Sequence, residues 1–153
     1  MISPGDKAPQ FSLTDQDGGA VELASFAGRR VLVYFYPKAD TPGCTQQACA
    51  LNAVLDQIGD TAVLGISPDS PSRQLRFAQK YSLGFPLLAD ENHAVAEAYG
   101  VWQEKKHYGK TYMGILRSAF LIDNAGNVAE AWYKVSPKDT PTKLLAALDG
   151  PAK

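Results

Sequence analysis

The stretch Val31-Leu32-Val33-Tyr34-Phe35-Tyr36 restricts the fold more than any other part of the chain. A strand with one wet face alternates apolar and polar residues. An unbroken run rich in β-branched and aromatic residues is a central strand covered on both faces. Pro37 ends it. Layers are then needed on either side, and the downstream sequence supplies helices for them. Thr41 is placed as an N-cap with Pro42 at the first helical position, and Ala48, Leu51, Leu55 and Ile58 recur at helical spacing up to a stop at Gly59. Ala62-Val63-Leu64-Gly65-Ile66 reads as a second buried strand, and Ser70-Pro71 opens a helix with Leu75, Ala78 and Tyr81 on one face. Phe85-Pro86-Leu87-Leu88 is a short strand, followed by a helix carrying Val95, Ala98 and Tyr99. Residues 117–123 and 128–134 form a hairpin around Asn124-Ala125-Gly126-Asn127, and Leu144, Leu145 and Leu148 mark a final helix. Before all of these, Phe11-Ser12-Leu13 and Val21-Glu22-Leu23 alternate around the turn signal Asp17-Gly18-Gly19. The order predicts a three-layer α/β domain occupying residues 1–153 as one unit.

Charge narrows the possible partners. Fifteen Lys and Arg stand against 16 Asp and Glu, with pI near 6.1, which leaves no electrostatic footprint for nucleic acid or an anionic membrane. The buried strand is far short of a membrane span. Met1-Ile2-Ser3-Pro4-Gly5-Asp6 has neither a basic region nor an apolar h-region, so a cytoplasmic location is expected.

The cysteines are Cys44 and Cys49 alone, too few for a disulfide scaffold. With Thr41 as N-cap, Cys44 falls at N3, where a capping box places Glu or Gln. Its own amide is one of those left without an intrahelical partner, and the helix dipole favours an anion there. Both effects favour the thiolate, the nucleophilic form. In an intact helix, five residues span about 7.5 Å of rise and about 500° of rotation, which sets the two Cα atoms roughly 8–9 Å apart. A disulfide reaches about 7 Å, so a Cys44–Cys49 bond requires the first turns to unwind. Three other readings compete. Both thiols could be small buried hydrophobes. They could bind zinc with His93 and His107, although the pair is not spaced like a zinc knuckle. Cys44 could be a hydrolase nucleophile, although neither His lies in a recognisable motif and each reads as a surface or helix-cap residue.

Tyr36-Pro37-Lys38-Ala39-Asp40-Thr41-Pro42-Gly43-Cys44-Thr45 resembles the active-site segment of the peroxiredoxins, with their Pro-x-x-x-Thr-x-x-Cys pattern at Pro37, Thr41 and Cys44. The Thr-Pro-Gly-Cys form, with Cys49 five positions on, is similar to the peroxiredoxin Q or bacterioferritin comigratory protein subfamily. Gly5-Asp6-Lys7-Ala8-Pro9-Gln10-Phe11 resembles the family's opening and Phe85-Pro86-Leu87-Leu88-Ala89-Asp90 its middle strand. Tyr108-Gly109-Lys110, Gly114 and Arg117 resemble its later catalytic segment. Ala39 departs from the pattern, since many relatives are acidic there.

The resemblance implies a thioredoxin-like fold with an N-terminal β-hairpin extension, and reduction of hydroperoxides without metal, haem or flavin. It implies a peroxidatic Cys44 and a resolving Cys49, closing an intramolecular disulfide that thioredoxin or glutaredoxin reopens. Pro37 would shield the thiolate, Thr41 and Arg117 would hold it in line with the peroxide, and Gly43 and Gln47 would support the site. No cysteine follows Cys49, so a bridge to a C-terminal cysteine of a second subunit is not expected and the chain reads as a monomer. Two rivals remain at this point: a thioredoxin-like disulfide reductase, which the missing CxxC opposes, and a redox-gated holdase whose helix unwinds on oxidation.

Overall fold

The structure is a computed structural model, and it describes residues 1–149. Its strands are β1 (Ser12–Asp15), β2 (Ala20–Glu22), β3 (Val31–Phe35), β4 (Ala62–Ser67), β5 (Leu87–Ala89), β6 (Trp102–His107), β7 (Lys110–Ile115), β8 (Ser118–Ile122) and β9 (Val128–Trp132). The helices are α1 (Pro42–Asn52), α2 (Pro71–Lys80), α3 (Ala94–Ala98) and α4 (Asp139–Leu148). Seven strands form one sheet in the order β2-β1-β5-β4-β3-β8-β9. β3, β4 and β5 run parallel, as expected of strands joined by the crossover helices α1 and α2, and β8 and β9 are antiparallel to their neighbours. The N-terminal hairpin joins the same sheet through β1 on β5.

All five β3 residues are buried, and alternation sorts them between two cores. Val31, Val33 and Phe35 face Ile66, Leu88, Tyr99 and Phe120. Leu32 and Tyr34 face the side where Cys44, Ala48, Leu51, Phe77 and Leu144 pack, so α1, α2 and α4 cover that face. Burying one such aliphatic side chain is worth about 1.5–3 kcal/mol, which accounts for the apolar character of the run. The fold expected from the sequence, a mixed α/β sheet covered on both faces, is the one observed.

Three local expectations need correction. The first helix stops at Asn52, and Leu55 lies in a separate 3-10 turn (Leu55–Gln57), so Gly59 follows that turn and does not end α1. On α2 the buried positions are Gln74, Phe77 and Ala78, with Leu75 and Tyr81 only half-buried. On α3 it is Ala96, not Ala98, that packs inward with Val95 and Tyr99. The β6–β7 hairpin, unexpected from the sequence, forms a two-stranded sheet of its own. Its two-residue turn is Tyr108-Gly109, both at positive φ (50° and 75°), the left-handed pair that a tight hairpin turn requires.

Candidate active site

Backbone connectivity sets the site at the end of β3. Tyr36 extends the parallel ladder by donating its amide to Ile66 O at 3.0 Å, and Pro37 then turns the chain off the sheet. The loop that follows is held through two carboxylates, Asp69 from the β4–α2 connection and the loop's own Asp40, which is bound from α2. Asp69 Oδ2 accepts the Ala39 amide at 2.7 Å and the Ser67 hydroxyl at 2.7 Å. Asp40 adopts positive φ (58°) and accepts from Lys80 Nζ at 2.9 Å and from the Tyr81 hydroxyl at 2.8 Å. Helix α1 starts directly beyond these anchors.

Thr41 is the N-cap residue and Pro42 the first helical residue, so Cys44 occupies N3 as expected. The Thr41 side chain, however, does not cap the helix. Its hydroxyl donates back to Lys38 O at 2.8 Å, while the Thr41 carbonyl accepts the Thr45 amide at 2.8 Å. A hydroxyl that spends its proton on Lys38 offers only lone pairs to anything arriving at the site.

Cys44 is only 1% exposed and packs with Tyr34, Tyr36 and Ala48. Arg117, immediately before β8, reaches across to it, and both Nη1 and Nη2 donate to Cys44 Sγ at 3.5 Å. Arg117 Nη1 also donates to Gln47 Oε1 at 2.8 Å. Gln47 is fully buried one turn beyond Cys44, and its Nε2 donates to Thr140 Oγ1 at 2.9 Å. The guanidinium therefore grips the sulfur with a fork and is itself steered by an amide. A Cβ on Gly43 would lie 3.1 Å from Arg117 Nη2 and 3.6 Å from Pro137 Cγ, so only glycine leaves that approach open. Pro37 is half-buried between β3 and the loop.

Two phenols lie in the same core as Cys44. Burial pushes the Tyr34 and Tyr36 hydroxyls well above the ordinary tyrosine range, with the Tyr36 value partly offset by hydrogen bonds to Ser67 and Gln74. Both stay neutral near pH 7 and put no competing negative charge beside the sulfur. A second cation, which the sequence reading missed, lies close by. Lys105 on β6 lies across Gly114 of β7, its Cδ 3.2 Å from where a Cβ there would sit. Burial first, and then the Arg117 charge, lower its basicity, while Cys44 acts in the opposite direction. The sulfur thus carries the Arg117 guanidinium against it and is otherwise packed among apolar side chains.

Cys49 lies on the same intact helix but is exposed, and both thiols are free. The histidines take no part. His93 caps α3, bonds Glu97 at 3.1 Å and stacks on Trp102 with centroids 3.9 Å apart, and His107 packs against Tyr108 at the hairpin tip. Tyr108 is 92% exposed at that tip, so its segment serves as the hairpin turn. Asp69, Asp40, Lys105 and Thr140 are the site's unforeseen members. Among the described residues no helix is long and apolar enough to cross a membrane.

Residues 4–131 match the model of the AhpC/TSA family. The chain is 56% identical over 129 residues to a protein named Peroxiredoxin Bcp from Escherichia coli, with 83% of each chain covered. It is 48% identical over 148 residues to a putative peroxiredoxin of Mycobacterium tuberculosis, covering 94% of this chain and 92% of that one. Among solved structures, a Xanthomonas campestris bacterioferritin comigratory protein, studied for alkyl peroxide reduction, superposes with a TM-score of 0.88 at 37% identity, covering 94% of this chain and 92% of the other. A Xylella fastidiosa PrxQ gives 0.93 at 29% identity, covering 100% and 99%.

Proposed function

The chain belongs to the AhpC/TSA family, in its Bcp and peroxiredoxin Q branch, and from that membership we propose the route by which this thiol peroxidase reduces hydroperoxides. The reading rests on one observation above the others: a buried cysteine at a helix N-terminus with both Arg117 Nη atoms on its sulfur. Cys44 thiolate attacks the terminal peroxide oxygen. The S–O bond forms as the O–O bond breaks, and the departing oxygen takes a proton to leave as water or an alcohol. Cys44 is then a sulfenic acid. Negative charge grows on the departing oxygen, and Arg117 and the free amides at the start of α1 are aimed at it. Thr41, its own proton committed to Lys38 O, accepts from the peroxide hydroperoxyl proton and sets the O–O bond in line with the sulfur. Gly43 keeps the guanidinium's path open, Gln47 accepts from the same Nη1 that meets the sulfur, and Pro37 covers the sulfur from the loop side.

The first turns of α1 then unwind. Cys49 attacks the sulfenic sulfur, hydroxide leaves and is protonated to water, and an intramolecular disulfide remains. A dithiol, thioredoxin or glutaredoxin, restores both thiols and is itself oxidised to a disulfide. The net exchange is one hydroperoxide and one dithiol for alcohol or water, water and one disulfide. Both cysteines lie on one helix, which supports a monomer, and the cycle needs a reducing compartment such as the cytoplasm.

Stopped-flow oxidation of the reduced protein by hydrogen peroxide, followed through Trp102 and Trp132, tests the scheme. A fast second-order phase is expected, and the product should have lost two hydrogens without dimerising. A rate no better than a free thiol's would end the assignment. Arg117→Ala is expected to slow that phase about 10²–10³-fold, the scale for losing one charge-stabilising donor group. A change below about threefold places Arg117 outside the reaction.

The Asp40 anchor has a pH signature. Hydrogen bonds from Lys80 and Tyr81 hold the Asp40 carboxyl below its ordinary range, and the same pair raises Lys80 above its own. A carboxyl with a lowered folded value stabilises above its unfolded value and loses that contribution as pH falls through the folded one. Lys80 contributes below its unfolded value and loses that as pH rises through the raised one. Asp40→Asn should therefore lower the urea midpoint slightly at neutral pH, since the pair is exposed. The difference from wild type should vanish in acid. A gap that persists unchanged in acid would show that the anchor is not ionic.

A further inference from the structure

We propose that Thr140, ninety-three positions away from Gln47 in sequence, is a positioning residue for the peroxidase site, fixing which way the Gln47 amide faces and through it where Arg117 sits. The proposal rests on the reading of Arg117 given above and adds to it a member from the far end of the chain.

A glutamine side chain is a two-faced group, with an acceptor oxygen and a donor nitrogen of nearly equal size. Buried beside a guanidinium, it helps in one orientation only. With the oxygen toward Arg117 it accepts and orients, and with the nitrogen toward Arg117 two donors collide. Arg117 prefers the first, but it is only half-buried and must also serve the sulfur.

The chain of hydrogen bonds behind Gln47 removes the choice. Thr140 Oγ1 donates to Ser136 O at 2.9 Å, and a backbone carbonyl can only accept. The hydroxyl's single proton is thereby committed, so toward Gln47 it can only accept. Gln47 must then present Nε2 to Thr140, at 2.9 Å, and Oε1 to Arg117 Nη1, at 2.8 Å. The direction set at Ser136 runs unbroken to the guanidinium. Both Gln47 and Thr140 have no solvent exposure, so no bulk water substitutes for either partner. Thr140 lies in the first turn of α4, which packs against α1, so the link also registers α4 on the active-site helix.

Thr140→Val keeps the shape and removes the hydroxyl. It should slow the first peroxide phase about tenfold, because a displaced charged group acts on the transition state at full sensitivity. Thr140→Ser keeps the hydroxyl and should return the rate to within about threefold of wild type. The decisive comparison repeats Thr140→Val in a Gln47→Glu background. A carboxylate has acceptors on both sides and no orientation to set, so the valine substitution should there cost less than about threefold. Equal losses in the two backgrounds would show that valine merely disturbs α4, and would overturn the proposal. So would a serine variant as slow as the valine variant, or a valine variant as fast as wild type. If Thr140→Val does not fold, the wild-type protein carries the test by NMR. The Gln47 side-chain amide protons should exchange with solvent far more slowly than those of exposed Gln46, and equal exchange would overturn the assignment. Loss of the fast phase in Cys44→Ser tests the underlying reading separately, since it does not involve Thr140.

Discussion

Cys44→Ser is expected to bring peroxide consumption in a reductant-coupled assay down to the level of the buffer alone. The substitution exchanges one atom in a site that is 1% exposed, so the packing with Tyr34, Tyr36 and Ala48 should survive. Arg117 would still find Gln47 as an acceptor at 2.8 Å. What disappears is the sulfur nucleophile of the proposed cycle: a serine hydroxyl attacks no peroxide. Unchanged circular dichroism alongside lost turnover would assign the loss to chemistry. Appreciable remaining activity would move the nucleophile to Cys49.

Cys49→Ser should have the second large effect, with a different signature. The first stopped-flow phase should keep wild-type speed, since Cys49 is exposed while Arg117 and Gln47 hold the buried Cys44 side of the helix. Stability should change by no more than about 0.5 kcal/mol, as for most surface substitutions. Thioredoxin-linked turnover should stop after one equivalent, because the sulfenic acid has no partner thiol. Under excess peroxide, mass spectrometry should then find Cys44 as sulfinic and sulfonic acid. Sustained cycling in this variant would require another resolving thiol, and the sequence offers none.

The parts of this fold that were legible in the sequence are those whose signal is local and whose burial is two-sided. β3 announced itself because every residue from Val31 to Tyr36 is buried, and Pro42 and Cys44 because helix starts obey short-range rules. The β6–β7 hairpin was missed for the opposite reason. Its strand Trp-Gln-Glu-Lys-Lys-His is half-exposed and charged, with no alternation, and its cross-strand pairing alone defines it. The end of α1 was misjudged because Leu55 and Ile58 keep helical spacing through a 3-10 turn. At the site, Cys44, Arg117 and Gln47 were legible through motif resemblance. Asp69 and Thr140 were not, since their contacts join residues 30 and 93 apart and no local pattern encodes them. Asp139-Thr140-Pro141 reads as an ordinary helix start, and only the three-dimensional chain of donors gives it a use.

The two anchors that end at Asp40 also set a timescale. They fix the chain just before α1, and Leu51, fully buried, fixes it just after Cys49. A segment pinned so closely at both ends has little space to search once it melts. Loops of about ten residues close in about 10–100 ns. Contact between Cys49 and an oxidised Cys44 is therefore never the slow event. In the proposed cycle the clock of disulfide formation would be the release of Cys44, Gln47 and Ala48 from their core, and its rate should follow the packing beneath α1 rather than the reach of Cys49.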